Sequence, residues 1–427
     1  MERPGSIVDA GIGASRQRRP AILEGLARRA LLSKLALTRN DRVTIEDGGD
    51  RIAFGEPDET ADLRATIHVM DRRFYADVAF GGTLGSGESY IAGTWTCDDL
   101  TALIRIALRN AHVMSGVDNW FARFLAPVMR LIHYLNRNTA EGSRRNIAAH
   151  YDLGNEFFEL VLDPTMMYSC AIFERPGATL EEASTAKIDR ICRQLDLRSH
   201  DHVVEIGTGW GGFAIHAARN YGCRVTTTTI SQAQHDYAVR RIRDAGLDGR
   251  ITVLLKDYRE LDGQFDKAVS IEMIEAVGHH FLDAYFKKCG ELLKPDGMML
   301  LQAIVIADQR YQGALRTIDF IKRYIFPGSF IPSVTAMMDS VTRSSDMRLF
   351  HLEDLTPNYA ETLRQWRLRT LANADRVRAL GYPEEFLRMW EYYLCYCEGG
   401  FLERNIGDVQ MLLVKPSCRR APIAPLL

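Results

Sequence analysis

The chain has 427 residues, 46% hydrophobic and 25% charged, which is ordinary for a soluble globular protein of two or three domains. Lysine plus arginine (53) nearly balances aspartate plus glutamate (55), and the net charge of −2 provides no global field to recruit nucleic acid. No apolar run reaches the roughly 18 residues of a membrane span; 298–307 is short and contains Gln302, and the N-terminus lacks an apolar leader core. The eight cysteines (97, 170, 192, 223, 289, 395, 397, 418) lack zinc-type pairing, since Cys395 and Cys397 are too close, so reduced thiols, a cytoplasmic location and no bound metal are expected.

Residues 1–40 concentrate arginine (3, 16, 18, 19, 28, 29, 39) and carry leucines and alanines at helical spacing over 22–37. Such a segment suits an anionic membrane surface, and equally a solvated arm with one docked helix. Short alternating runs over 42–80, separated by turn signals such as Gly48-Gly49, predict a small antiparallel sheet with a last strand at 74–80. A glycine-rich turn is expected at 81–87, and 98–110 predicts a helix with Leu100, Leu103, Ile104, Ala107 and Leu108 on one face. Residues 1–110 thus read as a small α+β domain able to hold a lipid chain or a partner subunit.

A helical linker follows at 111–145. Within it, 119–134 interleaves Trp120, Phe121, Phe124, Leu125, Val128, Leu131 and Ile132 with Arg123 and Arg130 around Pro127. Aromatics beside arginines suit an interfacial helix, and equally an interdomain helix buried on the next domain. The segment 144–173 precedes the main sheet, where a lid over a ligand is commonly placed, and 183–197 predicts the helix leading into the first strand.

Residues 201–212 organise the rest: Asp-His-Val-Val-Glu-Ile-Gly-Thr-Gly-Trp-Gly-Gly. A β-branched strand, a glycine turn and a helix from Phe213 make the opening βα unit of a nucleotide-binding α/β sheet. Glycine lets the backbone turn sharply and approach a ligand with no Cβ between. The letters Gly207-x-Gly209-x-x-Gly212 also satisfy the dinucleotide pattern. A nicotinamide site, however, wants an acid about 20 residues on, at the end of the second strand, and 226–229 is four threonines. Glu205, two residues before the first glycine, sits where S-adenosylmethionine (SAM) enzymes place an acid near the cationic methionyl end, which favours SAM.

Further strands are expected at 224–229, 251–255, 265–271, 297–306 and 348–355, with Ser231 capping the helix after the second and 408–414 closing and edging the sheet. This is the order of a class I SAM-methyltransferase, a Rossmann-like doubly wound α/β sheet with a closing antiparallel strand, spanning 146–417. Residues 307–400 depart from a minimal sheet, and the apolar, aromatic stretch 320–332 reads as a substrate wall.

A set of ordered motifs then carries a resemblance: Tyr151-Asp-Leu-Gly-Asn155, Tyr168-Ser-Cys170, Glu205 through Gly212, Glu275-Ala-Val-Gly278, Lys322-Arg-Tyr-Ile-Phe-Pro327, Tyr359-Ala-Glu-Thr-Leu363 and 392–401. Over about 85–415 the chain resembles the cyclopropane-fatty-acyl-phospholipid synthase family, whose members use SAM to methylenate cis double bonds of phospholipid acyl chains. The resemblance implies the same reaction here, on unsaturated acyl chains at the inner face of the membrane, by a peripheral homodimer.

An isolated alkene is a weak nucleophile, so attack on the sulfonium methyl creates a carbocation. The site must stabilise it, exclude water and remove a proton from the new methyl so that the ring closes. Aromatic faces stabilise cations without reacting, and these motifs are rich in tyrosine and phenylalanine. In the family a bicarbonate ion takes the proton. By resemblance its holders are Cys170, Glu275, Tyr359 and the backbone N–H of Ile304, and Cys397 matches another active-site cysteine. One position departs: the best-known members carry His two residues before that isoleucine, where this chain has Gln302. An amide can hydrogen-bond an anion, but it carries no positive charge and shuttles no proton. Proton loss from a neighbouring carbon would leave a methyl-branched or methylene acyl chain, the rival product. A methyltransferase acting on a small polar nucleophile is a further alternative.

For SAM, the similarity implies Tyr168 and Ser169 at the methionyl end. It places Val203, Val204, Glu205, Ile206, Gly207, Thr208, Gly209, Trp210 and Gly211 under the nucleoside. Thr229 and Gln234 would reach the ribose, with Gln234 replacing the usual acid, and Asp257, Tyr258 and Arg259 would flank the adenine.

Overall fold

The computed structural model describes residues 21–111 and 153–423. The first twenty residues, the amphipathic stretch 119–134 and the start of the 144–173 segment, including Tyr151, lie outside the described residues. Two compact units are present. Among described residues, one comprises 21–111, Ile318–Ile325 and Leu363–Asn405, and the other 153–317, Phe326–Thr362 and 406–423. This grouping is not linear in sequence: parts of the 307–400 stretch join the N-terminal residues.

In the first unit, helix Ala21–Leu35 precedes β1 (Arg42–Asp47), β2 (Asp50–Gly55), β3 (Arg64–Val69) and β4 (Trp95–Cys97), arranged β2-β1-β3-β4. β1 pairs antiparallel with β2 across Gly48 and Gly49, both at positive φ (58° and 101°). It pairs parallel with β3, however, so the sheet is mixed and not purely antiparallel as expected. Residues 74–80 are not its last strand. They lie in helix Arg73–Ile91, which buries Phe74, Tyr75 and Ala76. A run of seven mostly apolar residues fits either period, so periodicity alone does not separate strand from helix here. The expected turn at 81–87 is the second half of that helix, kinked at Gly82 (φ 56°, ψ −140°). Gly87 is small because a Cβ there would lie 2.7 Å from the Phe320 ring. Helix Leu100–Arg109 begins where Asp99 accepts from the Ala102 N–H at 2.8 Å, and its Arg105 and Arg109 hold Glu403 at 2.7 and 3.0 Å. Phe320, Tyr392 and Tyr396 form an aromatic group, with ring centroids 4.8 Å apart for the first pair and 6.3 Å for the last two.

The second unit is built on β5 (His202–Ile206), β6 (Arg224–Thr229), β7 (Ile251–Leu255), β8 (Phe265–Ile271), β9 (Leu293–Ile306), β10 (Arg348–Asp354) and β11 (Ile406–Val414), in the order β10-β11-β9-β8-β5-β6-β7. β5 through β9 are parallel, and β11 runs antiparallel to both β9 and β10. β11 therefore does not edge the sheet, as was expected of it, but lies between β9 and β10. Every residue from Asp408 to Val414 is buried, while β10 alternates and stays partly exposed as the true edge. Neighbouring residues face opposite core layers. Val203, Val225, Leu300 and Leu412 pack with Phe213, Ala217 and Ile188 on one side, and Val204, Ile206, Leu301 and Leu413 pack with Tyr285, Phe286 and Met337 on the other. Helices thus cover both faces, the doubly wound class I arrangement. No helix among the described residues is long and apolar enough to cross a membrane.

Candidate active site

In an open parallel sheet the ligand crevice lies beyond the carboxyl ends of the strands. β5 ends at Ile206, and the turn that follows holds Gly207, Gly209 and Gly211 at φ 103°, 52° and 85°. The N–H groups of Gly207 and Thr208 both donate to the Thr228 carbonyl at 3.0 Å, fixing the turn to β6. A Cβ on Gly209 would meet nothing within 4 Å, so this glycine borders open space. A Cβ on Gly212 would instead lie 2.6 Å from the Thr165 carbonyl oxygen and 2.8 Å from the Met167 sulfur. Gly212 serves packing and Gly209 leaves room for a ligand.

Glu205 is buried with one carboxylate oxygen lacking any hydrogen-bond partner. Loss of hydration pushes it up to about 8, against the pull of the Thr227 hydroxyl and the Lys187 charge. A cationic ligand group would satisfy that oxygen. The Tyr168 ring lies between Phe158 (5.3 Å) and Phe326 (6.5 Å), tilted to both, and the Ser169 hydroxyl accepts from the buried Lys187 ammonium at 2.7 Å.

Beyond β8, three donors converge on Glu272. Its Oε1 accepts from the Cys170 backbone N–H and from Gln302 Nε2, both at 2.8 Å, and its Oε2 accepts from the Tyr359 hydroxyl at 2.5 Å. Gln302, fully buried on β9, also donates to Asp408 Oδ2 at 3.1 Å and accepts from Gln410 at 3.0 Å. Glu275 Oε1 accepts from the Ile304 N–H at 2.6 Å, and its other oxygen is buried without a partner. Burial, with the nearby Glu272 charge, pushes Glu275 up to about 8. Burial raises Asp408 well above the usual range, with the Glu272 and Glu275 charges adding to it. The Cys170 thiol is also pushed well up by burial, so it is no thiolate nucleophile. Lys187 is a buried cation beside these acids, and burial brings it down to about 8.

Residues 137–411, more than half of the chain, match the model of a family described as mycolic acid cyclopropane synthetase. The chain belongs to that family. A tuberculostearic acid methyltransferase of Mycobacterium tuberculosis is 38% identical over 341 residues, covering 78% of this chain and 79% of its own length. A cyclopropane-fatty-acyl-phospholipid synthase of Escherichia coli is 38% identical over 344 residues, covering 80% and 86%. The solved mycolic acid cyclopropane synthase CmaA1, complexed with SAH and CTAB, superposes with a TM-score of 0.60 at 32% identity, over 64% of this chain and 98% of that one. The protein is therefore a SAM-dependent methyltransferase of the cyclopropane-synthase type, with the class I fold.

The expected SAM residues divide by where their side chains go. Val203, Val204 and Ile206 are core residues that hold the turn from behind. Trp210, expected beside the nucleoside, instead buries its indole on Phe158 (4.8 Å) and donates to Asn155 Oδ1 at 2.7 Å, tying the turn to helix Asn155–Val161. The Thr208 hydroxyl pairs with that of Thr227 at 2.7 Å. Thr229 donates to Gln234 Oε1 at 3.0 Å and so orients that amide at the end of β6. Asp257 takes three N–H bonds from Arg259, at 2.7 to 3.0 Å, while Tyr258 packs its ring on Tyr285 (5.4 Å) in the core. The open space at Gly209 and the unpartnered Glu205 oxygen fit SAM.

The expected bicarbonate holders are differently engaged. The N–H of Cys170 and the hydroxyl of Tyr359 go to Glu272, and the N–H of Ile304 goes to Glu275. These donors already serve carboxylates of the chain, and the residues as placed do not fit a second anion. Cys397 lies in the other unit, on helix Glu384–Leu402, where burial pushes its thiol up. Glu272 and Asp408 were missed in the sequence. The available signals were an acid directly after an apolar strand, and the one charged residue within β11.

Proposed function

We propose that this methyltransferase delivers the SAM methyl carbon to a cis double bond of an unsaturated acyl chain in membrane phospholipid and closes a cyclopropane ring. It would work as a peripheral homodimer at the inner face of the membrane. The observation that carries this reading is the Glu272 cluster. A carboxylate held by Tyr359, Cys170 and Gln302 stands at the carboxyl end of β8, next in the sheet to the glycine turn. Met273, the next residue, would be 3.2 Å from a Cβ on Gly207.

SAM supplies an electrophilic methyl on a sulfonium. The alkene pair forms the new C–C bond while the C–S pair leaves on sulfur. The resulting cation would be flanked by the ring of Tyr168 and by the negative charge of the Glu272 cluster, both of which favour it. Phe326 and Phe330 add apolar surface; the Phe330 N–H donates to the Glu275 carbonyl at 3.1 Å. A dry wall matters because water would trap the cation as an alcohol.

The test is incubation with methyl-labelled SAM and vesicles of a dioleoyl phospholipid, followed by saponification. Label is expected in the fatty acids, and none when the vesicles are fully saturated. Label confined to the water-soluble head group, or no transfer, would overturn the reading. A methylene or methyl-branched acyl product is the second reading. Gln302 favours it, because an amide stands between Glu272 and Asp408 where the resemblance expects a histidine, and so does the similarity to a tuberculostearic acid methyltransferase. Gln302→His should shift the ratio of ring to branched product several-fold by gas chromatography. An unchanged ratio would show that this position does not direct proton loss.

A further inference from the structure

We propose that Glu272 is the proton acceptor of this reaction and that its carboxylate takes the place of a bound bicarbonate, so that turnover needs no added anion. The proposal rests on the acyl-methylation reading above.

Glu272, Glu275 and Asp408 crowd together where β8, β9 and β11 meet, and the buried Lys187 acts on Glu272, Asp408 and, on β5, Glu205. They cannot all be ionised, because a buried charge without a partner is strongly disfavoured. Hydrogen bonding selects which one is. Glu205, Glu275 and Asp408 each have one oxygen with no hydrogen-bond partner, which suits the neutral acid. Glu272 accepts from Tyr359, Gln302 and the Cys170 N–H, and three donors onto two oxygens favour the carboxylate. Burial still raises its pKa, and a carboxylate so raised is a better proton acceptor than an exposed glutamate.

The backbone points the same way. Glu272 has φ 48°, a left-handed conformation that a residue with a Cβ adopts only under strain. Glycine would be unstrained here. The strained residue turns its carboxylate back onto Tyr359 and Cys170, whose chain positions are 87 and 102 residues away.

In the step itself, a C–H pair of the added carbon becomes the closing C–C bond, and the proton passes to Glu272. Half-buried, Glu272 can return that proton to water once the product leaves.

The experiment compares the wild type with Glu272→Gly and Glu272→Gln in buffers freed of carbon dioxide, with and without tens of millimolar bicarbonate. Glycine removes both the carboxylate and the backbone strain, so the variant should fold and bind SAM within a few-fold of wild type. Wild-type turnover should not change on adding bicarbonate. Glu272→Gly should lose about 100-fold or more, the usual worth of a positioned base, and regain at least about tenfold of it with bicarbonate filling the vacated space. Glu272→Gln should lose as much and regain nothing, because the amide fills that space. Carbon-13 NMR of labelled bicarbonate should show binding to the glycine variant and none to wild type. Wild-type turnover that requires bicarbonate, full activity in Glu272→Gly, or wild-type binding of the labelled ion would each overturn the proposal. If no protein labels an acyl chain, the substrate reading fails on its own, and the NMR comparison still decides the role of Glu272.

Discussion

At the scale of single residues, the buried acids make the pH behaviour predictable. Glu205 and Glu275 are each raised from 4.5 to about 8. The folded state therefore favours their neutral forms. The stability they contribute is complete below pH 4.5 and is lost as pH climbs toward 8. Thermal unfolding of the ligand-free protein should accordingly fall in temperature between pH 5 and pH 8, and Glu205→Gln should flatten that slope. If the cationic end of SAM meets Glu205, as the resemblance implies, binding favours the ionised form of that carboxyl. Calorimetry at pH 7 in two buffers of different ionisation heat should reveal release of a large fraction of one proton per SAM bound. Identical heats in the two buffers would contradict the placement of Glu205 at the cationic end. The expectation for Glu205 could be drawn from the sequence because it needs only local spacing to three glycines. Glu272 was not, because its partners Cys170, Gln302 and Tyr359 come from distant strands and helices and only the fold brings them together.

At the scale of elements, the glycine turn separates two kinds of constraint that look alike in sequence. Gly212→Ala places a Cβ 2.6 Å from the Thr165 carbonyl and should destabilise the protein by about 1–3 kcal/mol, read as a lower unfolding temperature. Gly209→Ala pays only for its φ of 52° but fills the open side of the turn, so SAM affinity should fall about tenfold or more at a smaller cost in stability. If both variants lose stability and affinity in the same proportion, the division of roles is wrong. The parallel strands were readable because they gather β-branched and apolar residues into short runs that end at turns. The position of β11 was not, since nothing local tells an antiparallel strand whether to add at the edge or insert between β9 and β10. The strand expected at 74–80 failed for a related reason: seven residues are too few to separate a period of two from one of 3.6 when most are apolar.

At the scale of the whole molecule, the family and the class I sheet were legible because ordered motifs run through most of the chain. The partition into units was not, since 318–325 and 363–405 group with the N-terminal residues through contacts far apart in sequence. In the proposed reaction a carbon from SAM ends in an acyl chain at its double bond and then gives up a proton. Mass spectrometry of phospholipids treated with the protein and SAM bearing a deuterated methyl group tests it most directly. The predicted result is a monounsaturated acyl chain that has gained one carbon and kept two of its three deuteriums, with an unlabelled head group. A head group carrying the intact deuterated methyl, beside unchanged acyl chains, would contradict the account.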